Sequence, residues 1–392
     1  MPWTGDGVVD GPRRVPRATH KPSATVNHSV TLLIYGAYGY TGELISRAAV
    51  ERGFDPILAG RDGDRLRALG RELRADVREF DLSFHEFVVE SIRDVDVVLN
   101  CAGPFEATAE PLLDACLETG VDYLDVTGEY AAIAAIAARD ERAVDAGVTL
   151  LPAVGFDVTV TDCLAAELAE RLPGATTLVL GLDATGSISR GTARTAVRGV
   201  GTGPLIRRND ALIRPDADTR ERSIDFGHGA RSSLAVSWAD LVTAPHTTGA
   251  EHVAVYVALD PRVMRAARIA RPFAPLLDTQ PARWLLDRIV AGRFEGPSAA
   301  ERGSSAVFVY AEACTEYEGC LGDGAGGNSQ RVGERVVSRL RTPDPYDVTI
   351  ETALAAVERV HAGEAPIGFT TPAAAFGPSF LSVVDGVERL DR

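Results

Sequence analysis

The apolar run Val30-Thr31-Leu32-Leu33-Ile34-Tyr35 leads straight into Gly36-Ala37-Tyr38-Gly39-Tyr40-Thr41-Gly42. Residues 43–52 follow, with Leu44, Ile45, Ala48 and Ala49 at helical spacing. A buried strand, a glycine turn and a helix in this order form a phosphate cradle. Gly36 permits the tight turn, Gly39 lets backbone approach a pyrophosphate, and Gly42 lets helix and strand pack closely. The helix N-terminus offers N–H groups and a positive dipole end to an anion, which places Tyr38, Gly39, Tyr40 and Thr41 at the pyrophosphate. The spacing is Gly-x-x-Gly-x-x-Gly, not the commoner Gly-x-Gly-x-x-Gly, so the turn alone is a weak signal.

The next strand strengthens it. Pro56-Ile57-Leu58-Ala59 ends at Gly60-Arg61-Asp62, where NAD-binding proteins carry the acid that grips the ribose hydroxyl. Here the slot holds Gly60 and Arg61. A guanidinium at that point suits the extra phosphate of NADP through bidentate, charge-assisted bonds. Asp62 beside it leaves NAD as the alternative, and a plain turn with a surface arginine is the bland one.

Strand and helix alternate from residue 30 to about residue 172. Helices are expected at 61–73, 84–92, 107–119, 129–146 and from 155 to about 172. Strands are expected at 77–80, 95–100, 121–126 and 148–151. This rhythm predicts an α/β fold, a Rossmann doubly wound parallel sheet. Past Pro173 the rhythm changes. Strand-like segments at 176–182, 232–238, 252–258, 304–313 and 332–340 predict a second α+β domain with a mixed or antiparallel sheet. The expected organisation is a disordered tail over 1–29, a nucleotide domain over 30–172, a substrate and dimerisation domain over 173–345, and a C-terminal helix and tail over 346–392 that packs back on the first domain. The glycine-rich 319–327 segment is read as the cap of a hairpin.

Composition removes several chemistries. The formal net charge of −15 argues against nucleic acid and anionic membrane as general partners. Lys21 is the sole lysine. A Tyr-x-x-x-Lys pair, a phosphate-loop lysine and a Schiff-base lysine are therefore all missing from the folded region. An acidic, lysine-poor surface fits a salt-rich cytoplasm, and a GC-rich genome gives the same arginine bias. Five cysteines (Cys101, Cys116, Cys163, Cys314, Cys320) contain no C-x-x-C pair, and their odd count suggests reduced, mostly buried thiols in a cytoplasmic protein. No His-Glu-x-x-His occurs and no metal site is expected. No uncharged apolar run is long enough for a membrane span.

Several short motifs, in order, resemble the saccharopine dehydrogenase-like oxidoreductases, in particular the subgroup of trans-acting enoyl reductases. They are the Gly36–Gly42 loop followed by Ala59-Gly60-Arg61, Asn100-Cys101-Ala102-Gly103-Pro104-Phe105, Tyr123-Leu124-Asp125-Val126-Thr127-Gly128-Glu129 and Gly155-Phe156-Asp157. Gly191-Thr192, Gly296-Pro297-Ser298 with Arg302, and Thr371-Pro372-Ala373-Ala374-Ala375-Phe376-Gly377 continue the series. The resemblance implies an NADP-dependent enzyme, dimeric, with Gly155, Phe156 and Thr192 lining the substrate cleft. Tyr38 stands where the subgroup usually has threonine, and Val158-Thr159-Val160-Thr161-Asp162 replaces its usual serine-and-proline run. These departures bear on the substrate, not on the cofactor.

Ligands of such sheets bind at the carboxyl ends of the strands. That rule puts Asp81 and Leu82 beside the adenine and Cys101, Ala102, Gly103 and Pro104 at the nicotinamide ribose. Hydride transfer needs an acceptor and usually a proton donor. Asp157, Tyr123 and Glu129 are the candidates, beside Asp125 and Asp162. Each has an ordinary alternative: Asp157 as a helix cap, Glu129 as a first-turn carboxylate, Tyr123 as a core aromatic. Six arginines among apolar residues across 261–290 read first as solvated faces over a core. A lid over an apolar substrate, or contact with a membrane surface, are the sharper alternatives. The favoured function is an NADP-dependent reductase of a C=C, C=N or C=O bond in a small apolar metabolite. An amino-acid-type imine dehydrogenase and a non-catalytic NADP sensor are the competitors.

Overall fold

The computed structural model describes residues 30–184, 203–260, 305–321 and 333–391. The expected tail, Thr192, the arginine-rich stretch over 261–290, the Gly296–Ser298 motif with Arg302, and most of the glycine-rich segment lie outside them.

The first sheet is parallel throughout. Its strands are β1 (Leu32–Tyr35), β2 (Ile57–Gly60), β3 (Val77–Glu79), β4 (Val97–Asn100), β5 (Asp122–Asp125), β6 (Thr149–Leu151) and the short β15 (Gly368–Phe369), in the order β15-β6-β5-β4-β1-β2-β3. β1 pairs with both β2 and β4, so the chain reverses its direction of winding there. β1, β2 and β4 are buried along their whole length, which is why they read as continuous apolar runs. Helices α1 (Tyr40–Glu51), α2 (Gly63–Leu73), α3 (His85–Ile92), α4 (Phe105–Thr119) and α7 (Phe156–Arg171) lie close to their expected places.

The expected single helix over 129–146 is two, α5 (Tyr130–Ala137) and α6 (Asp140–Ala146). Neither glycine nor proline breaks it. Arg139 does: its guanidinium donates back to the Ala135 carbonyl at 2.9 Å and pairs with Glu110 and Asp114 of α4. An alanine-rich run with little side-chain packing yields to that anchor.

The second sheet is mixed, in the order β10-β11-β12-β7-β13-β14-β16, with β8 and β9 off its path. Its strands are β7 (Thr177–Ala184), β8 (Ile206–Arg208), β9 (Ala211–Ile213), β10 (Glu221–Asp225), β11 (Ala230–Val236), β12 (His252–Ala258), β13 (Val307–Cys314), β14 (Arg335–Thr342) and β16 (Glu388–Arg389). All its pairings are antiparallel except β12 with β7. Four further helices complete the parts that matter here: α8 (Ala217–Arg220), α9 (Asp240–Thr248), α10 (Tyr317–Cys320) and α11 (Pro345–His361). A short α12 (Pro372–Phe376) follows β15.

One hydrophobic core runs from β1 and β4 through α7 to β7, β12, β13 and α11. A second cluster covers the other face of the second sheet, around Phe226, Tyr256 and Tyr310. α11 starts with an Asp344 side-chain cap and a proline in its first turn. It then locks the first domain: Glu351 pairs with Arg52 of α1, and the Thr352 hydroxyl donates to the Val154 carbonyl at 2.6 Å.

The cysteine expectation needs correcting. Cys314 and Cys320 are joined by a disulfide that ties the end of β13 to α10. Cys101, Cys116 and Cys163 are free and buried. An odd count led to the wrong inference because one pair and three core thiols also sum to five. The cysteine argument for a reducing compartment falls with it.

Candidate functional site

The glycine turn is built as a cradle with no spare room. Gly36 lies at φ +80°, and a Cβ there would sit 2.8 Å from the Ala102 Cβ. A Cβ on Gly42 would lie 2.3 Å from the Gly36 carbonyl oxygen. The Gly39 amide donates to that same oxygen at 2.9 Å. Gly39 is the N-cap of α1, and no side chain caps the helix. The first-turn N–H groups of a helix have no intrahelical acceptor, so this end is fitted to an anion. The residues present therefore suit a dinucleotide phosphate.

The tip of β2 supplies cations. Arg61 is exposed and makes no hydrogen bond or ion pair among the described residues, although its charge reaches Asp81. The Asp81 carboxyl is held below its usual range, first by Ser83 hydrogen bonds and more weakly by Arg61. Asp62 caps α2 by accepting from the Arg65 amide at 3.1 Å. Arg65, which the sequence reading did not single out, lies 4.7 Å from the centre of the Tyr38 ring and donates to the Tyr38 carbonyl at 2.8 Å. Its signal was available: Arg61 and Arg65 are one helical turn apart.

Beyond β4 the chain turns through Cys101, Ala102, Gly103 and Pro104, with the last peptide bond cis. Cys101 is buried and its thiol is pushed far up by burial, so it is inert as a nucleophile. Asn100 sets the turn. Its side-chain oxygen accepts from the Ala102 amide at 3.0 Å, and its amide donates to the Thr108 and Tyr123 hydroxyls, both at 3.2 Å. Tyr123 is fully buried and donates to Asp125 at 2.9 Å. Asp125 also accepts from the Thr127 and Ala153 amides, at 3.0 and 2.8 Å. The second contact holds Ala153 at φ +60°, in the left-handed region that disfavours a side chain. Burial raises the Asp125 carboxyl to about 6.

Glu129 is a clamp. Its two oxygens accept from the Phe105 and Glu106 amides at 3.2 and 3.1 Å, closing the N-terminus of α4. Asp157 differs from both. It lies in the first turn of α7, after buried Gly155 and Phe156, and its carboxyl accepts no hydrogen bond among the described residues. One carboxyl oxygen faces Gly128 so closely that a Cβ there would be 2.7 Å away. Burial raises it to about 6. The Trp238 indole N–H donates to the Asp157 carbonyl at 2.8 Å, and Thr349 of α11 accepts from the Phe156 amide at 3.0 Å. Tyr346 of α11 meets Tyr40 edge-on, with ring centres 4.7 Å apart. The structure thus gathers the glycine turn, the tips of β2 and β4, and the start of α7 along the carboxyl edge of one sheet. Trp238 and Tyr346 come from the distant chain, and no local motif announced them.

A family model described as the saccharopine dehydrogenase NADP binding domain matches residues 32–151. Over these residues the chain is similar to that domain, which supports NADP as the nucleotide. The chain is similar to a human saccharopine dehydrogenase-like oxidoreductase, 28% identical over 224 residues, covering 49% of this chain and 51% of that one. It is also similar to the trans-acting enoyl reductase of Mycobacterium tuberculosis, 30% identical over 148 residues, covering 36% of this chain and 35% of that one. The chain spans about half the length of the first of these relatives, and less of the second. Among solved structures, apo saccharopine dehydrogenase (L-Glu forming) from Saccharomyces cerevisiae superposes with a TM-score of 0.59 at 9% identity, covering 92% of this chain and 98% of that one. That likeness speaks to the fold alone.

Proposed function

We propose that the protein is an NADP-dependent reductase acting on a C=C, C=N or C=O bond of a small, apolar metabolite. The observation that carries the reading is the pairing of an uncapped glycine cradle and an Arg61 without partner among the described residues with a buried Asp157 carboxyl raised to about 6. Gly36, Gly39, Tyr40, Thr41 and Gly42 would hold the diphosphate. Arg61, with Arg65 beside it, would hold the 2′-phosphate. Asp81 and Leu82 would border the adenine, and Cys101 to Pro104 the nicotinamide ribose.

When bound, the reduced cofactor supplies the hydride. The chain's own groups do the rest. Asp157 is the proton donor we favour, because Glu129 and Tyr123 are committed to hydrogen bonds that hold the turn together. A carboxyl raised to about 6 still holds a useful fraction of its protons near neutrality. Buried Phe156 and the Trp238 ring give the start of α7 apolar neighbours, which favours an apolar substrate over a charged one. We take the chain to work as a homodimer, checked by light scattering at twice the chain mass.

The test is a screen of enoyl, imine and carbonyl compounds for NADPH oxidation, repeated with Asp157→Asn. The substitution should lower turnover by about 10²–10⁴-fold and leave NADPH binding unchanged. Full turnover in the variant rules Asp157 out, and NADPH consumption by glutamate-linked imines alone favours the amino-acid dehydrogenase reading.

A further inference from the structure

The backbone of Tyr38 belongs to the glycine turn, but its side chain leaves the turn and reaches the tip of β2. A Cβ on Gly60 would lie 2.7 Å from the Tyr38 Cε1 and 3.4 Å from its hydroxyl oxygen. Any side chain at residue 60 would therefore start inside the tyrosine ring. NAD-binding proteins carry the ribose-gripping acid at the tip of this strand. Here an aromatic ring fills the space that such a side chain needs.

Arg65 meets the same ring. Its guanidinium carbon lies 4.7 Å from the ring centre, within reach of a cation–π contact, and its Nη2 donates to the Tyr38 carbonyl at 2.8 Å. The residue is thus anchored at both ends, its amide on Asp62 and its guanidinium on Tyr38. The remaining N–H groups of that guanidinium have no acceptor among the described residues. Nearby carboxylates are committed elsewhere. Asp62 caps α2, Asp64 and Glu79 pair with Arg67 at 2.8 and 2.9 Å, and Asp81 accepts from the Ser83 amide at 2.8 Å. Arg61 and Arg65 therefore stand one helical turn apart, each without an ion-pair partner among the described residues. Such a pair suits a phosphate better than a ribose hydroxyl. An exposed arginine ordinarily samples many rotamers, and freezing them weakens binding; a guanidinium held in place beforehand escapes most of that cost.

We propose that Tyr38 is a positioning residue for nucleotide preference: its ring holds the Arg65 guanidinium at the tip of β2, beside Arg61, as the second clamp on the 2′-phosphate. The inference rests on the NADP reading of the site. The ring acts in two ways. It occupies the space above Gly60, which rules out an acid at that position. It also gives Arg65 a platform that bridges α2 and the glycine turn, so the guanidinium is in place before the nucleotide arrives.

The test is titration of NADPH, NADH and 2′,5′-ADP into the wild type, Tyr38→Leu, Tyr38→Phe and Arg65→Met. Tyr38→Leu keeps apolar bulk and removes the aromatic face. It should weaken NADPH and 2′,5′-ADP by about 2–5-fold, the scale of an exposed cation–π contact, and leave NADH unchanged. Tyr38→Phe keeps the face and should bind every ligand as the wild type does. Arg65→Met should weaken the ligands that carry the 2′-phosphate by about tenfold, and in that background Tyr38→Leu should add nothing. A leucine variant that binds NADPH as tightly as the wild type overturns the proposal. So does one that loses NADPH and NADH alike, which is what a packing role alone gives. A phenylalanine variant as weak as the leucine one overturns it too, because the role then lies with the hydroxyl. If Tyr38→Leu does not fold, Tyr38→Thr carries the same expectation and the same refutations, threonine being the usual residue here in the subgroup this chain resembles. A wild type that binds neither NADPH nor 2′,5′-ADP removes the nucleotide reading itself, and this inference with it. A wild type that prefers NADPH but is indifferent to the leucine substitution removes this inference alone.

Discussion

Gly42→Ala puts a single methyl group into the tightest contact of the cradle. The added carbon would lie 2.3 Å from the Gly36 oxygen, 3.0 Å from its carbonyl carbon and 3.1 Å from the Ala37 Cα. All three are backbone atoms, so no side chain can swing away. To restore ordinary contact, the start of α1 must retreat by roughly 1 Å, an overpacking of the kind that costs about 1–3 kcal/mol. The retreat also strains the 2.9 Å bond from the Gly39 amide to the Gly36 oxygen and the 2.7 Å bond from the Glu43 amide to the Gly39 oxygen. The amides that would face a diphosphate move with them. If about 2 kcal/mol of that alignment is lost, the NADPH dissociation constant rises roughly 30-fold, since each 1.4 kcal/mol is a factor of ten. The assay is NADPH fluorescence titration together with urea unfolding. Gly147→Ala is the control. It meets nothing within 4 Å, lies at φ +70° and is remote from the cradle, so it should cost stability alone, about 1 kcal/mol. The reasoning is refuted if Gly42→Ala binds NADPH within twofold of the wild type and unfolds at the same urea concentration.

Two further outcomes test the second sheet. Glu312 is fully buried between Arg222 at 2.6 Å and Arg335 at 2.5 Å, with the Tyr310 hydroxyl donating at 2.8 Å. Glu312→Gln leaves two guanidiniums without their anion and should destabilise the protein by about 3–5 kcal/mol in urea unfolding; a loss under 1 kcal/mol would mean that water reaches the pair. The Cys314–Cys320 bond closes a short loop, with a sequence separation of 6, so its removal in Cys314→Ser should cost about 2 kcal/mol. The same variant should show one more alkylatable thiol, from Cys320, after denaturation; an equal thiol count in the two proteins means the bond does not form.

The nucleotide half was legible because its strands are buried on both faces. β1, β2 and β4 read as continuous apolar runs, and the glycines between β1 and α1 sit where a backbone contact forbids a side chain. The second sheet was harder. β9 is largely exposed, and β10 and β11 alternate imperfectly, so period-two patterning was weak there. α9 carries Pro245 and four threonine or histidine positions in its last turns, which is poor helix material held by packing against α7. At the site, the sequence offered Asp157, Tyr123 and Glu129 without ranking them. Tyr123, Glu129 and Asp157 look equivalent in one dimension. They separate once Tyr123 is seen bonded to Asn100 and Asp125, and Glu129 to two backbone amides, while the Asp157 carboxyl accepts no hydrogen bond among the described residues.

The central claim is that the cradle and the β2 tip together hold NADP. It is tested most directly by titrating NADPH and NADH into the wild type and into Arg61→Asp. The wild type should prefer NADPH, and the substitution should weaken NADPH by about 10–100-fold, the scale of charge-assisted hydrogen bonds, while NADH changes little. NADPH affinity that is unmoved by reversing the charge at residue 61, or a wild type that binds neither nucleotide, would contradict the account.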